Sequence, residues 1–140
     1  MSRDIQSTRQ MFRHALATLA YRGGKVLRDS YDATGHMSVQ IMRLPHPKVA
    51  SGDDENVAPG EKVALFDAYI AYFGTYSVDW KAQVLTHRVE GDLADVYVGT
   101  AQKRHFELQG DLLTLSDTGS RGGRAVQGKR VFERVRNREH

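Results

Sequence analysis

One group of residues in this sequence has the types needed for acid–base chemistry: His87, Glu90, Asp92 and Asp95. In a β-strand His87 and Glu90 fall on opposite faces, because side-chain direction alternates with a period of two. Asp92 and Asp95 surround a turn, where aspartate is favoured for backbone reasons alone. The spacing therefore predicts no acid–base pair, and an enzyme is the alternative hypothesis rather than the first.

Metal and nucleophile chemistry also lack a suitable pattern. None of the six histidines stands at HxH or HxxxH spacing and HExxH is absent, so we expect no metal site, although His87 and His105 could meet across a barrel wall. The chain has no cysteine, which excludes disulfides and thiolate ligands. The glycine-rich segment 119–124 lacks the lysine spacing of a phosphate-binding loop. We expect no cofactor.

Aromatic side chains with polar tips on predicted strands indicate a binding pocket. Tyr72 and Tyr76 share one strand face, as do Arg104 and Phe106. In a small barrel one face of each strand lines the interior, and apolar walls with a few polar groups are typical of a small-molecule site. The predicted cavity-lining residues are Tyr72, Tyr76, Arg88, Tyr97, Arg104 and Phe106. The alternative is that these residues only fill the core.

Several elements must position these side chains. Residues 4–22 have the apolar spacing of an amphipathic helix that ends at Gly23-Gly24, and a short second helix begins at Pro59 and ends near Ala71 or Tyr72. Period-two alternation and turn residues predict strands at 25–31, 36–43, 72–79, 83–90, 95–100, 102–109, 111–116 and 129–135. A glycine-rich loop is expected at 116–128. The fold class is mainly β, an antiparallel barrel of about eight strands with an N-terminal α-helix and a short second helix.

Several segments resemble the bacterial lipocalin-like domain family, in the right order over about residues 24–136. They are Tyr31–Arg43, Ala71–Asp79, His87–Gly91, Val98–Thr100, Arg104–Leu108, Leu112–Ser116 and Val131–Val135. The resemblance implies a lipocalin-like antiparallel barrel with a central cavity. It supplies no reaction, because the family is largely uncharacterised.

The N-terminal part of the chain departs from that family. Members usually open with two strands, the first carrying a Gly-Thr-Trp-like signature, whereas this chain has the predicted helix, whose segment 12–22 faintly resembles a helix of DinB-type bundles. Two missing strands would leave an exposed sheet edge. We therefore expect a helix over residues 1–23, a lipocalin-like barrel domain over 24–136 and a basic tail over 137–140.

The composition and the distribution of charge argue against nucleic acid and membranes as binding partners. The net charge is +3, but the two end segments are basic and residues 29–120 are acidic. A nucleic-acid binder would carry its basic residues through the folded body, so we expect no nucleic acid. No apolar run approaches the ~20 residues of a membrane span and no secretory signal is evident, so we expect a cytoplasmic protein without membrane contact.

Three functions remain open. The first is a non-enzymatic protein that binds a small hydrophobic or amphipathic ligand in its cavity. The second is an isomerase, cyclase or hydrolase that uses the same cavity, and the third is a protein-interaction module that acts through the N-terminal helix. We also expect a homodimer, since an open edge and the apolar stripe of Phe12, Leu16 and Leu19 would favour self-association.

Overall fold

The computed structural model describes residues 15–18, 24–121 and 124–134, with side chains described for 24–117 and 128–134. A four-residue strand, β1, is followed by seven strands of seven to eleven residues and one helix, α1. Their bounds are β1 Ala15–Thr18, β2 Lys25–Tyr31, β3 His36–Arg43, α1 Pro59–Asp67, β4 Tyr69–Asp79, β5 Val84–Asp92, β6 Ala101–Gln109, β7 Leu112–Arg121 and β8 Arg124–Arg134.

The strands form an antiparallel barrel in sequence order. From β2 to β8 each strand pairs with its neighbours along the chain, and together these seven strands nearly close the barrel. β1 bridges the remaining gap, since Leu16 pairs with Asp29 of β2 and with Arg134 of β8. The expected mainly β, antiparallel barrel is thus confirmed.

The predicted N-terminal helix is wrong over Ala15–Thr18, which is strand β1. Its periodicity favours a helix locally, but unpaired backbone groups on β2 and β8 provide partners for an extended segment. The other residues of that predicted helix, and the tail 137–140, lie outside the described residues. Because β1 occupies the expected open edge, that edge gives the predicted homodimer no support; the dimer stays a prediction.

The predicted strand 95–100 is a loop, so the long strands number seven instead of eight. Asp92 accepts hydrogen bonds from the backbone N–H groups of Ala94 and Tyr97, and Asp95 has a positive φ of 58°. Side-chain capping and a left-handed residue turn the chain where alternation had suggested extension.

The predicted glycine-rich loop 116–128 is largely strand. β7 and β8 pair from Ser116 opposite Lys129 to Arg121 opposite Arg124. A continuous antiparallel ladder outweighs the low strand propensity of glycine here. The second helix begins at Pro59 as predicted but ends at Asp67, because the chain enters β4 early and Ile70 pairs with Ile41.

The core lies inside the barrel and is formed by alternate residues of the strands. Leu85, Leu113 and Phe132 have no solvent exposure. The other buried apolar side chains of this core are Leu27, Tyr31, Met37, Val39, Ile41, Phe106 and Leu115. Two polar side chains, Asp29 and His87, are buried among them at 2% and 1% exposure.

Candidate functional site

Four polar side chains are joined by hydrogen bonds inside the barrel, and we call them the polar chain: Asp29, Tyr31, His87 and Tyr72. The Tyr31 hydroxyl donates to Oδ2 of Asp29 at 3.1 Å and lies 2.7 Å from Nε2 of His87. Nδ1 of His87 lies 2.8 Å from the Tyr72 hydroxyl. The single hydroxyl proton of Tyr31 is directed to Asp29, so the Tyr31 oxygen accepts from Nε2–H of His87. A neutral imidazole has one donor and one acceptor nitrogen, and Nδ1 therefore accepts from the Tyr72 hydroxyl.

The polar chain extends through the barrel interior because three strands direct these four side chains inward. Asp29 and Tyr31 share the inner face of β2, and His87 lies on the inner face of β5 between buried Leu85 and Val89. A β-bulge between Phe73 and Gly74 shifts the register of β4 against β5. A Cβ on Gly74 would lie 1.9 Å from the Arg88 carbonyl oxygen, so this close approach of the two strands requires glycine.

Asp29 is the incompletely satisfied member of the polar chain. Its Oδ1 is buried and has no hydrogen-bond partner among the described residues. Burial raises the pKa of Asp29 to about 6, against the opposing influence of Arg130, the Tyr31 hydroxyl and Arg104. A buried carboxyl oxygen without a partner costs about 1–3 kcal/mol or more, so this atom marks a place where an additional polar group would be stabilising.

Burial also keeps His87 and Tyr72 neutral. It lowers the pKa of His87 to about 3, and Arg104 and Arg130 act in the same direction. Burial, assisted by the charge of Asp29, raises the pKa of Tyr72 to about 12. His87 is therefore an uncharged hydrogen-bonding group near neutral pH and a poor general base.

Two arginines, which we call the arginine pair, adjoin the polar chain from β6 and β8. Arg104 Nε and Arg130 Nη2 lie 3.8 Å and 3.6 Å from the same oxygen, Oδ2 of Asp117. These side chains retain partial exposure, 15% for Arg104 and 25% for Arg130. A Cβ on Gly128 would lie 2.6 Å from Oδ1 of Asp117, so glycine there makes room for the carboxylate between the two arginines.

The structure brings four of the six predicted cavity residues to the barrel interior. Tyr72 belongs to the polar chain and Arg104 to the arginine pair. Phe106 is buried against Trp80, and Tyr76 contacts Tyr31 edge-on at 5.0 Å while its hydroxyl donates to the Asp32 carbonyl oxygen.

The other two predicted cavity residues lie elsewhere. Arg88 is exposed, because the residues of β5 that face inward are Leu85, His87 and Val89, the opposite parity from the one predicted. Tyr97 is 42% exposed in the loop before β6, so it is not an interior side chain of a strand.

Sequence reasoning did not select Asp29, Tyr31 or Arg130 as site residues. The available signal was alternation in β2, where Leu27, Asp29 and Tyr31 share a face and one of them is a carboxylate. A charged residue at an inward position is costly and therefore informative. From the sequence, His87 is a candidate only in the acid–base group with Glu90, Asp92 and Asp95 or in a metal pair with His105. His105 is exposed, and the described residues contain no group of three or more suitable metal ligands.

A concave surface region lies over β3, β4 and β5, with a volume of about 530 Å³. Its lining includes Gln40, Phe73, Gly91 and Leu93, and Phe73 is 57% exposed. We call it the β3–β5 groove. It is a surface feature and lacks the buried, unpaired polar atom of the barrel interior.

We expect Asp29→Asn to stabilise the protein near neutral pH. The folded-state pKa of Asp29 is raised from 3.8 to about 6, so stability that is present below about pH 4 is lost as the pH rises through about 6. The amide cannot ionise, and the gain should approach about 3 kcal/mol above about pH 7. Urea unfolding at several pH values measures it, with exposed Asp54→Asn as the control. An equal gain at about pH 4 and pH 8 would contradict the assignment.

Among the described residues no helix is long and apolar enough to cross a membrane. In comparisons with known proteins, no curated protein and no solved structure gave a significant match. A family model described as a lipocalin-like domain matches residues 29–134, from Asp29 of the polar chain to the end of β8. That match covers most of the chain, from the last three residues of β2 to the end of β8, and it agrees with the barrel described above. The chain belongs to the lipocalin-like domain family.

Proposed function

We propose that this barrel binds a small amphipathic molecule in its interior, with the polar group of the molecule against the polar chain. The unpaired, buried Oδ1 of Asp29 carries the proposal, because an atom of this kind is stabilised by a hydrogen-bonding ligand. The apolar side chains of the barrel interior, Phe106 and Leu115 among them, suit the remainder of such a molecule. Membership of a lipocalin-like family supports a small-molecule binding role.

The hydrogen-bonded polar groups of the barrel interior are better suited to ligand binding than to catalysis. His87 is the natural candidate for a general base, yet both ring nitrogens are engaged by tyrosine hydroxyls and its pKa is lowered to about 3. A base of that strength is unprotonated but weak near neutral pH. The same arrangement is well suited to presenting fixed hydrogen-bonding groups to a ligand.

The uncharged probe N-phenyl-1-naphthylamine tests the proposal. Trp80 is the only tryptophan of the sequence and packs against Phe106 at a centroid distance of 6.0 Å. Excitation of Trp80 should therefore sensitise emission from a probe held inside the barrel. We expect saturable one-to-one binding with a dissociation constant on the order of micromolar, and displacement by dodecan-1-ol.

Two variants locate the ligand. Asp29→Leu removes the proposed partner of the alcohol, and should weaken dodecan-1-ol about fivefold, the equivalent of about 1 kcal/mol. Asp54→Leu is the exposed control and should change nothing. Phe73→Ala tests the β3–β5 groove and should leave probe affinity unchanged. Unsaturable emission, or loss of binding in Phe73→Ala alone, would refute interior binding.

A further inference from the structure

The charges around the polar chain indicate which class of amphipathic molecule fits. Arg104 and Arg130 supply two positive charges, and Asp117 is the acid that contacts both. Asp29 is the other acid that acts on this region, and its ionised form is disfavoured by burial. Below about pH 6 Asp29 is mainly protonated, and the described side chains of this region then carry one more positive than negative charge.

The contacts of Asp117 leave the arginine pair able to bind another anion. Its closest approaches to the two guanidinium groups are 3.8 Å and 3.6 Å, which are ion-pair distances and longer than charge-assisted hydrogen bonds of about 2.7–2.9 Å. Asp117 is 32% exposed, so its carboxylate can move toward solvent at little desolvation cost. Guanidinium groups match a carboxylate or sulfonate with two parallel hydrogen bonds.

Building on the proposed function, we propose that the ligand is an anionic amphiphile whose single oxyanion group binds between Arg104, Arg130 and the unpaired Oδ1 of Asp29. The oxyanion neutralises the excess positive charge. A protonated Asp29 then donates from Oδ1 to the ligand, which gives this buried atom a partner. The hydrocarbon part lies against the apolar core.

This arrangement couples binding to protonation of Asp29. Charged and titratable groups from six strands surround Asp29. Its carboxyl interacts with Tyr31 on β2, Tyr72 on β4, Arg104 on β6 and Arg130 on β8. His87 on β5 contacts Tyr31, and Asp117 on β7 contacts both arginines. A bound anion beside Asp29 disfavours its ionised form and raises its pKa above about 6. The complex therefore takes up a proton, and affinity increases as the pH falls from about 8 to about 6.

Competition against N-phenyl-1-naphthylamine measures the preference for an anion. Dodecanoate should bind at least about tenfold more tightly than dodecan-1-ol to the unaltered protein. Arg104→Gln and Arg130→Gln should each remove most of that preference while changing dodecan-1-ol affinity by less than about twofold. The exposed Arg88→Gln is the matched control and should retain the full preference.

Two further variants keep the proposal testable if a glutamine variant fails to fold. Asp117→Asn removes the competing carboxylate, and should tighten dodecanoate several-fold. Arg130→Lys retains the charge and should keep part of the preference. Circular dichroism of each variant verifies that the barrel is intact.

Dodecane-1-sulfonate tests the coupling to Asp29, because its head group does not titrate between about pH 6 and pH 8. Its affinity should rise several-fold over that interval, and Asp29→Asn should abolish the rise. If the anions and the alcohol bind equally and the arginine variants change nothing, the anion site is wrong and interior binding stands. If none of these molecules displaces the probe, both proposals fail.

Discussion

Phe132→Ala is expected to lower the free energy of unfolding by about 3–5 kcal/mol. Phe132 has no solvent exposure and lies opposite Leu113, which is equally buried, in the β7–β8 ladder. The substitution removes a whole aromatic ring from a barrel whose walls are fixed by continuous strand pairing, so the surrounding side chains can collapse only partly into the space. Urea unfolding monitored by circular dichroism measures the change.

Val131 provides the matched control for this prediction. It is the preceding residue on β8, faces the other side of the sheet and is 38% exposed. Val131→Ala should cost about 1 kcal/mol or less. Equal losses for the two variants would mean that the inner and outer faces of β8 have been assigned incorrectly.

His87 is expected to make the protein sensitive to acid. Its folded-state pKa is lowered from 6.5 to about 3, so the stability present above about pH 6.5 is lost as the pH falls toward about 3. The unfolded chain takes up a proton in this interval and the folded barrel does not. The full loss amounts to about 5 kcal/mol, of which about 3 kcal/mol appears by about pH 4.

In the unaltered protein the Asp29 carboxyl partly offsets this loss of stability. Because its pKa is raised to about 6, Asp29 favours the folded state more as the pH falls to about 4, opposite to the effect of His87. The contribution of His87 is therefore measured as a difference between the protein and His87→Gln. Relative to His87→Gln, the unaltered protein should lose about 3 kcal/mol of unfolding free energy between about pH 7.5 and pH 4.

Exposed His105 supplies the control, since its side chain is 46% exposed and lies on the outer face of β6. His105→Gln should follow the pH profile of the unaltered protein. If His87→Gln also follows that profile, the imidazole is protonated inside the folded barrel and the hydrogen-bond assignment of the polar chain is wrong.

The sequence by itself determined the individual strands with strong alternation. Residues 25–31 and 36–43 were predicted with the bounds that β2 and β3 have, because apolar and polar residues alternate there and a turn sequence separates them. Tyr72, Tyr76, Arg104 and Phe106 were assigned to the inner face from parity alone. Parity is a local property, so it requires no knowledge of distant strands.

The sequence of β5 does not indicate which of its alternate residues face inward, since both faces carry residues suited to an interior. Val84 and Thr86 alternate with Leu85 and His87, and only the pairing with β4 and β6 decides which set faces inward. The prediction placed Arg88 inside for this reason. A one-residue difference in register exchanges the two faces of a strand.

Tertiary structure alone decided the closure of the barrel and the composition of the site. Ala15–Thr18 is a strand because β2 and β8 offer unpaired backbone groups on both sides of it. Asp29 and Arg130 are about a hundred positions apart in sequence, and they interact only because the last strand returns beside the first ones. No local pattern encodes that proximity, since the burial that shifts the pKa of Asp29 and the charges that oppose it come from different strands.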